Sequence, residues 1–215
     1  TPHELAAQGL RVIGDYVKKL TRVDLWSLEE YAEKRATHRK EVIAHKKNRQ
    51  VSLGEHMRLC FEDEITIRYQ IQEMLRAEKV FEAAGIQEEL DAYNPLIGDG
   101  QNLKATLMIE YDDPAERAVK LAQLIGVEDR VWVKAGDGEK SYAIADEDLD
   151  RENDVKTSAV HFLRFELDGK MISALKNGVP LSLGIDHPNY LIGGLTVAEN
   201  VRESLVSDLE DGAPA

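Results

Sequence analysis

The chain has 215 residues, with 40 acidic and 27 basic side chains and a formal net charge of −13. Apolar residues make up 43%, which is typical of a globular protein and excludes a disordered chain. Its one cysteine, Cys60, excludes an internal disulfide and a four-cysteine zinc or iron–sulfur site. No apolar run approaches the ~20 residues of a membrane helix, so we expect a soluble protein without a membrane partner.

Helical patterns dominate the first 100 residues. Apolar spacing predicts a helix over residues 3–19. Ser27 and Glu30 form a capping box, which predicts a long polar helix running to about Asn48. Three further elements are predicted: a hairpin of 50–53 and 56–62, a helix over 64–84 that ends at Gly85, and a short helix over 86–93.

The second half of the chain is dominated by strand patterns. Strands are predicted over 103–111, 130–135, 140–145, 157–167 and 179–185. Helices are predicted over 113–126, over 168–176 and after a second capping box at Thr196 and Glu199. The order of elements predicts an α+β fold, with a helical first half and a mainly antiparallel sheet with interspersed helices in the second. The predicted regions are 1–100, 101–209 and a frayed tail 210–215, with the first two packed as one unit.

A stripe of seven basic residues lies between Lys34 and Arg49, against Glu41 alone. Such a stripe suits a phosphate, a nucleic acid or an acidic partner, but it is also compatible with docking on the chain's own acidic body or with a solvated face. The net charge of −13 argues against nucleic acid, because it repels a polyanion at long range. The residues predicted to bind a ligand or partner on this stripe are Arg35, Arg39, Lys46, Lys47 and Arg49.

A second hypothesis for the same helix is a metal site. His38, Glu41 and His45 share one helix face, and two imidazoles with a carboxylate are ligand types for zinc or non-haem iron. The fourth ligand is predicted to be His56, Glu62 or Glu64 on the next element, with Glu62 as the first choice. The alternative is an ordinary solvated stretch.

The helix over 64–84 carries a polar set at three- and four-residue spacings. Tyr69, Gln72, Glu73 and Arg76 offer donors, acceptors and both signs of charge, enough to line a small pocket. Glu78 falls on the apolar stripe, where a buried carboxylate must be paired or protonated. The alternative is a surface helix with ordinary side-chain pairs. Both site hypotheses require the two helices to lie side by side.

Four sequence segments carry a family resemblance: Val42–Arg49, Tyr69–Glu78, Glu88–Pro95 and Ser158–Glu166. In these segments the chain resembles the bacterial domain-of-unknown-function family 3501, and the resemblance extends from about Leu20 to about Leu209. The family is uncharacterised and supplies no catalytic residue. Its genes tend to lie near those for rubrerythrin-like and iron–sulfur/flavin oxidoreductases, and the resemblance implies a cytoplasmic protein of a redox or peroxide-related system.

Three functional hypotheses follow from the sequence. The first is an accessory or binding protein with a redox protein as partner and the basic helix as its docking or anion-binding face. The alternative is a zinc- or iron-dependent enzyme that uses the His/Glu cluster, and the third is nucleic-acid binding. A homo-oligomer is compatible with each of them.

Overall fold

The computed structural model describes residues 19–146 and 156–210, so most of the helix predicted over 3–19 lies outside the described residues. Within those ranges the helices are α1 (Leu28–Lys47), α2 (Glu64–Glu78), α3 (Ala83–Tyr93), α4 (Pro114–Gln123), α5 (Gly169–Lys176) and α6 (Glu199–Val206). The strands are β1 (Gln50–Ser52), β2 (Met57–Glu62), β3 (Asn102–Ile109), β4 (Val131–Ala135), β5 (Ser141–Tyr142), β6 (Ile144–Ala145), β7 (Val160–Glu166), β8 (Leu181–His187) and β9 (Tyr190–Thr196).

The strands form two antiparallel sheets, ordered β1-β2-β3-β7-β6 and β5-β4-β8-β9. The predicted strand over 140–145 is divided, because β5 pairs in one sheet and β6 in the other. Strand β9 was not predicted, and it pairs with β8 across a two-residue turn. Helices in the first half and antiparallel sheets with interspersed helices in the second confirm the α+β fold.

Two hydrophobic clusters support these layers. The larger one involves both sheets and includes the fully buried Leu107, Phe165 and Leu183. The smaller one lies under α2 and α3 and includes Ile71 and Leu90. Because β2 pairs with β3 along its whole length, the predicted boundary at residue 100 runs through a continuous sheet.

The end of α2 differs from its prediction. The helix ends at Glu78, because Lys79 adopts a left-handed conformation with φ 56°. Gly85 lies inside α3 and not at a helix end, and Phe81 is 74% exposed instead of continuing the apolar stripe. Glu78 is therefore an exposed side chain and needs no buried partner.

The start of α6 and the end of the chain also differ from their predictions. Thr196 ends β9, and Ala198 precedes α6 without a side-chain capping bond. Glu199 instead pairs with Arg202 one turn later. Near the tail, Leu209 is 5% exposed and the Glu210 N–H donates to the carbonyl of Gly100 at 2.9 Å. The packed chain thus extends to residue 210, and residues 211–215 lie outside the described ranges.

Trp132 on β4 packs flat across the neighbouring strand of the smaller sheet. The ring lies over Gly184, where an added Cβ would sit 2.1 Å from Cζ2 of the indole. The Lys140 ammonium lies 4.3 Å from the centre of the ring, and Trp132 is only 2% exposed. Glycine at position 184 is therefore required by the space that the indole occupies.

Candidate functional site

Helices α1 and α2 lie side by side and run in opposite directions. Near the start of α1, the Tyr31 hydroxyl donates to Glu73 at 2.6 Å. At the other end, His45 Nε2 lies 2.5 Å from the carboxylate of Asp63, the N-cap of α2. Between them the His38 and Tyr69 rings are 5.9 Å apart. We call this contact the α1–α2 seam, and it is the arrangement that both site hypotheses required.

An ion pair lies beside the Tyr31–Glu73 contact of the seam. Nε and Nη2 of Arg35 donate to the two carboxylate oxygens of Glu73 at 2.7 and 2.8 Å. These hydrogen bonds hold the pKa of Glu73 down at about 2, with a further contribution from the Tyr31 hydroxyl. Burial, together with the bond to Glu73, raises the pKa of Tyr31. Arg35 and Glu73 therefore satisfy one another, which leaves neither as a free ligand-binding group.

Trp26 is a central residue of the seam that the sequence hypotheses missed. It directly precedes the Ser27 N-cap, and its ring stacks on Tyr31 in the first turns of α1, with centroids 6.2 Å apart. This pair has the spacing of a hydrophobic staple, which was the sequence signal available for it. The buried Gln72 amide fixes the Trp26 backbone, accepting from its N–H at 2.7 Å and donating to its carbonyl at 3.3 Å. Gln72 thus positions Trp26 and does not line a pocket.

Most of the basic stripe is exposed and unpaired. Among the residues described, five of its seven cations have no carboxylate within 4.0 Å. Four of them are exposed and Lys46 is half-buried. These five residues are Lys34, Arg39, Lys40, Lys46 and Lys47. Among the described residues, Arg35 and Arg49 of the stripe pair with the chain's own carboxylates, and the other five cations remain available as an interaction surface.

Arg49 does not belong to that surface, although it was predicted there. It is 1% exposed, and its guanidinium donates to the Phe61 carbonyl at 3.1 Å and pairs with Asp63 and Asp208. A buried cation needs such a full set of acceptors, and here they come from β2, α2 and the end of the chain. Arg49 thus links these elements inside the fold and is not part of the docking face.

The remaining predicted pocket residues do not converge. Arg76 and Glu78 are exposed near the end of α2. Tyr69 is half-buried, with the Lys46 ammonium 5.6 Å from its ring centre. The polar set of α2 is therefore divided between the seam and the solvent-facing side of the helix.

The predicted metal ligands are also kept apart. Glu41 is exposed and its carboxylate is 3.9 Å from His38 Nδ1, while His45 is occupied by Asp63. Glu62 accepts from the hydroxyls of Thr66 and Thr106 at 2.5 and 2.8 Å. Over 19–146 and 156–210, no group of three or more His, Cys, Asp or Glu is placed to hold a metal ion. The structure does not bring the four predicted ligands together.

A cavity of about 190 Å³ lies beside the end of α1, over the outer side of β2. Its polar lining includes Lys46, Arg58 and Glu62, with Cys60 in its wall. Burial raises the pKa of the Cys60 thiol, and the nearby Glu62 carboxylate adds to the rise. The thiol is therefore less ionised than a free cysteine, which is the opposite of an activated nucleophile.

Comparison with known proteins places this chain among relatives of unknown function. The sequence model of the family described as "Protein of unknown function (DUF3501)" matches residues 19–209. The chain belongs to the DUF3501 family. This family member is similar to a crystal structure titled as a novel protein of unknown function from Burkholderia pseudomallei K96243, with 56% sequence identity and a TM-score of 0.86. The match covers 90% of this chain and 100% of that one.

No curated protein matches the chain. In the part of the chain that the structure describes, no helix combines the length and the apolar character needed to cross a membrane.

Proposed function

We propose that this protein is a non-enzymatic binding protein that docks an acidic protein partner on the exposed basic surface of α1. The observation that carries the proposal is the set of five cations on this helix that have no carboxylate partner among the described residues, in a chain that has 40 acidic side chains. Opposite charges across an interface accelerate encounter and fix orientation, so a local basic surface on an acidic protein selects acidic partners. We name Arg39, Lys40 and Lys47 as the main docking cations.

The family resemblance supports a redox protein of the cytoplasm as the partner. Genes of this family tend to lie near those for rubrerythrin-like and iron–sulfur oxidoreductases. We propose that one of these proteins presents an acidic patch to α1. The docking protein itself then needs neither a metal nor a nucleophile of its own.

The test is binding of a purified rubrerythrin-like protein and of a purified iron–sulfur oxidoreductase, measured by calorimetry. Replacing Arg39, Lys40 and Lys47 together with Gln should weaken binding about threefold or more, since each exposed charge contact contributes roughly 0.2–1 kcal/mol. Binding should also weaken as salt rises, because the contacts are solvent-exposed.

The matched control removes the same number of charges elsewhere. Lys120, Arg130 and Lys170 lie on other elements of the fold. Their triple Gln variant should bind as the parent does. Equal loss in both variants would show a general charge effect, and unchanged binding in the α1 variant would contradict the proposal.

A further inference from the structure

The seam contains a cluster of cations gathered on one indole. The Lys34 ammonium lies 5.1 Å from the centre of the Trp26 ring, and the Arg68 guanidinium carbon lies 5.4 Å from it. Both are within the ~6 Å range of a cation–π contact. Neither has a carboxylate within 4.0 Å among the described residues. Two like charges therefore share one ring, and the described part of the chain places no carboxylate against either of them.

The same cluster holds buried side-chain nitrogens without a hydrogen-bond partner among the described residues. His38 is 6% exposed, and its ring meets Trp26 edge-on with centroids 4.9 Å apart. Across the described ranges, neither Nε2 of His38 nor Nε of Arg68 has a hydrogen-bond partner. The face of an indole is at best a weak acceptor for such a group. Burial and the nearby Arg68 charge both lower the pKa of His38, so its ring is harder to protonate than a free imidazole.

The position of Trp26 is fixed before any ligand arrives. The buried Gln72 holds its backbone at two atoms, and Tyr31 stacks against its ring. Trp26 itself is half-buried and Lys34 is exposed, so the cluster opens to solvent on one side. Trp and Arg in a preformed and partly desolvated setting are the residue types that dominate binding energy at protein interfaces.

We infer that the Trp26–Lys34–Arg68 cluster is a carboxylate-binding site that receives an Asp or Glu side chain of the acidic partner. This inference rests on the proposed function and adds a specific anchor to it. A carboxylate accepts two N–H bonds from one guanidinium, which an isolated ammonium cannot match. The ammonium of Lys34 adds charge, and the indole adds apolar contact to the stem of the bound side chain.

The experiment uses Trp26 as its own reporter. The chain has two tryptophans, so Trp132→Phe leaves Trp26 as the sole indole fluorophore. Titration with hexaglutamate should change Trp26 emission to a plateau, and hexaglutamine should not. Lys34→Gln combined with Arg68→Gln should weaken hexaglutamate binding about tenfold or abolish the emission change. In the unaltered protein, the indole N–H resonance of Trp26 should shift in the same titration, which guards against a folding defect of Trp132→Phe.

The outcomes separate this inference from the proposed function. The triple Gln variant of Arg39, Lys40 and Lys47 should bind hexaglutamate more weakly, but the Trp26 emission change at saturation should be kept. Suppose that this triple variant weakens binding of the redox partner, but hexaglutamate changes neither the Trp26 emission nor its indole resonance in protein that keeps all three cations. The carboxylate anchor is then wrong, and the docking surface stands. If a single-stranded oligonucleotide binds more tightly than hexaglutamate, the assignment to a carboxylate is overturned. Absence of any peptide-induced change also overturns it.

Discussion

Replacing Arg49 with Met should destabilise the fold without touching the docking surface. The Arg49 side chain is 2% exposed and lies between Asp63, 3.3 Å from Nε, and Asp208. The Met side chain fills much of the same space but leaves two partly buried carboxylates without their cation. Asp63 keeps its contact with His45, so the carboxylate of Asp208 is the more destabilised of the two. Breaking one side of a buried ion pair costs about 3–5 kcal/mol, a large share of the roughly 5–15 kcal/mol that separates folded from unfolded domains.

The loss should depend on pH through Asp208. Burial raises the pKa of Asp208 even though Arg49 opposes the rise, so removal of Arg49 raises that pKa further. A carboxyl group whose pKa is higher in the folded chain than in the unfolded chain weakens the fold as pH rises through the folded value. Arg49→Met should therefore cost more stability near neutral pH than at about pH 4, the ordinary pKa of an Asp side chain.

Urea unfolding followed by circular dichroism measures this prediction, with an unchanged denaturant slope as the check for two-state behaviour. Arg39→Met on the same helix is the matched control, because Arg39 is exposed. The free energy of unfolding of this variant should stay within about 0.5 kcal/mol of that of the parent. A parent-like stability of Arg49→Met at both pH values would refute the reasoning. Equal losses at both would refute the role of Asp208.

Two further predictions concern Trp132 and Cys60. Gly184→Ala should destabilise the protein by about 1–3 kcal/mol in the same urea assay, because the new Cβ meets the Trp132 ring. Gly193→Ala is the control and should be nearly neutral, because a Cβ at that position has no heavy atom within 4 Å among the described residues. Equal effects of the two substitutions would contradict the packing argument. Cys60 should react with iodoacetamide more slowly than free N-acetylcysteine near neutral pH, because burial raises its pKa and reduces the thiolate fraction. A faster reaction, followed by mass spectrometry, would show an activated thiol instead.

Local patterns were enough to predict much of the fold. The Ser27–Glu30 capping box and the hairpin turn at Gly54 are short-range signals, and both are present in the structure. The predicted end of α2 was wrong, because Lys79 adopts the left-handed conformation and ends the helix there, although Gly85 is the residue type that favours this conformation. Residue preference is a weak guide where tertiary packing decides which residue adopts the turn.

The candidate site was less predictable because its decisive partners are distant in sequence. Arg49 looks like its basic neighbours until Asp208, 159 residues away, is placed against it. Gln72 looks like a pocket residue until its amide is found on the Trp26 backbone, 46 residues earlier. The stripe of cations was visible in the sequence, but which of them are free depends on the packing of α1 against α2.

The segment from Ser141 to Ala145 has a mechanical consequence for the whole molecule. Its first strand, β5, is hydrogen-bonded to β4, and its second, β6, is hydrogen-bonded to β7, with only Ala143 between them. Shearing one sheet over the other would strain this short covalent bridge and break pairing on both sides. We therefore expect the two layers to lose amide protection together, as one cooperative unit in hydrogen exchange.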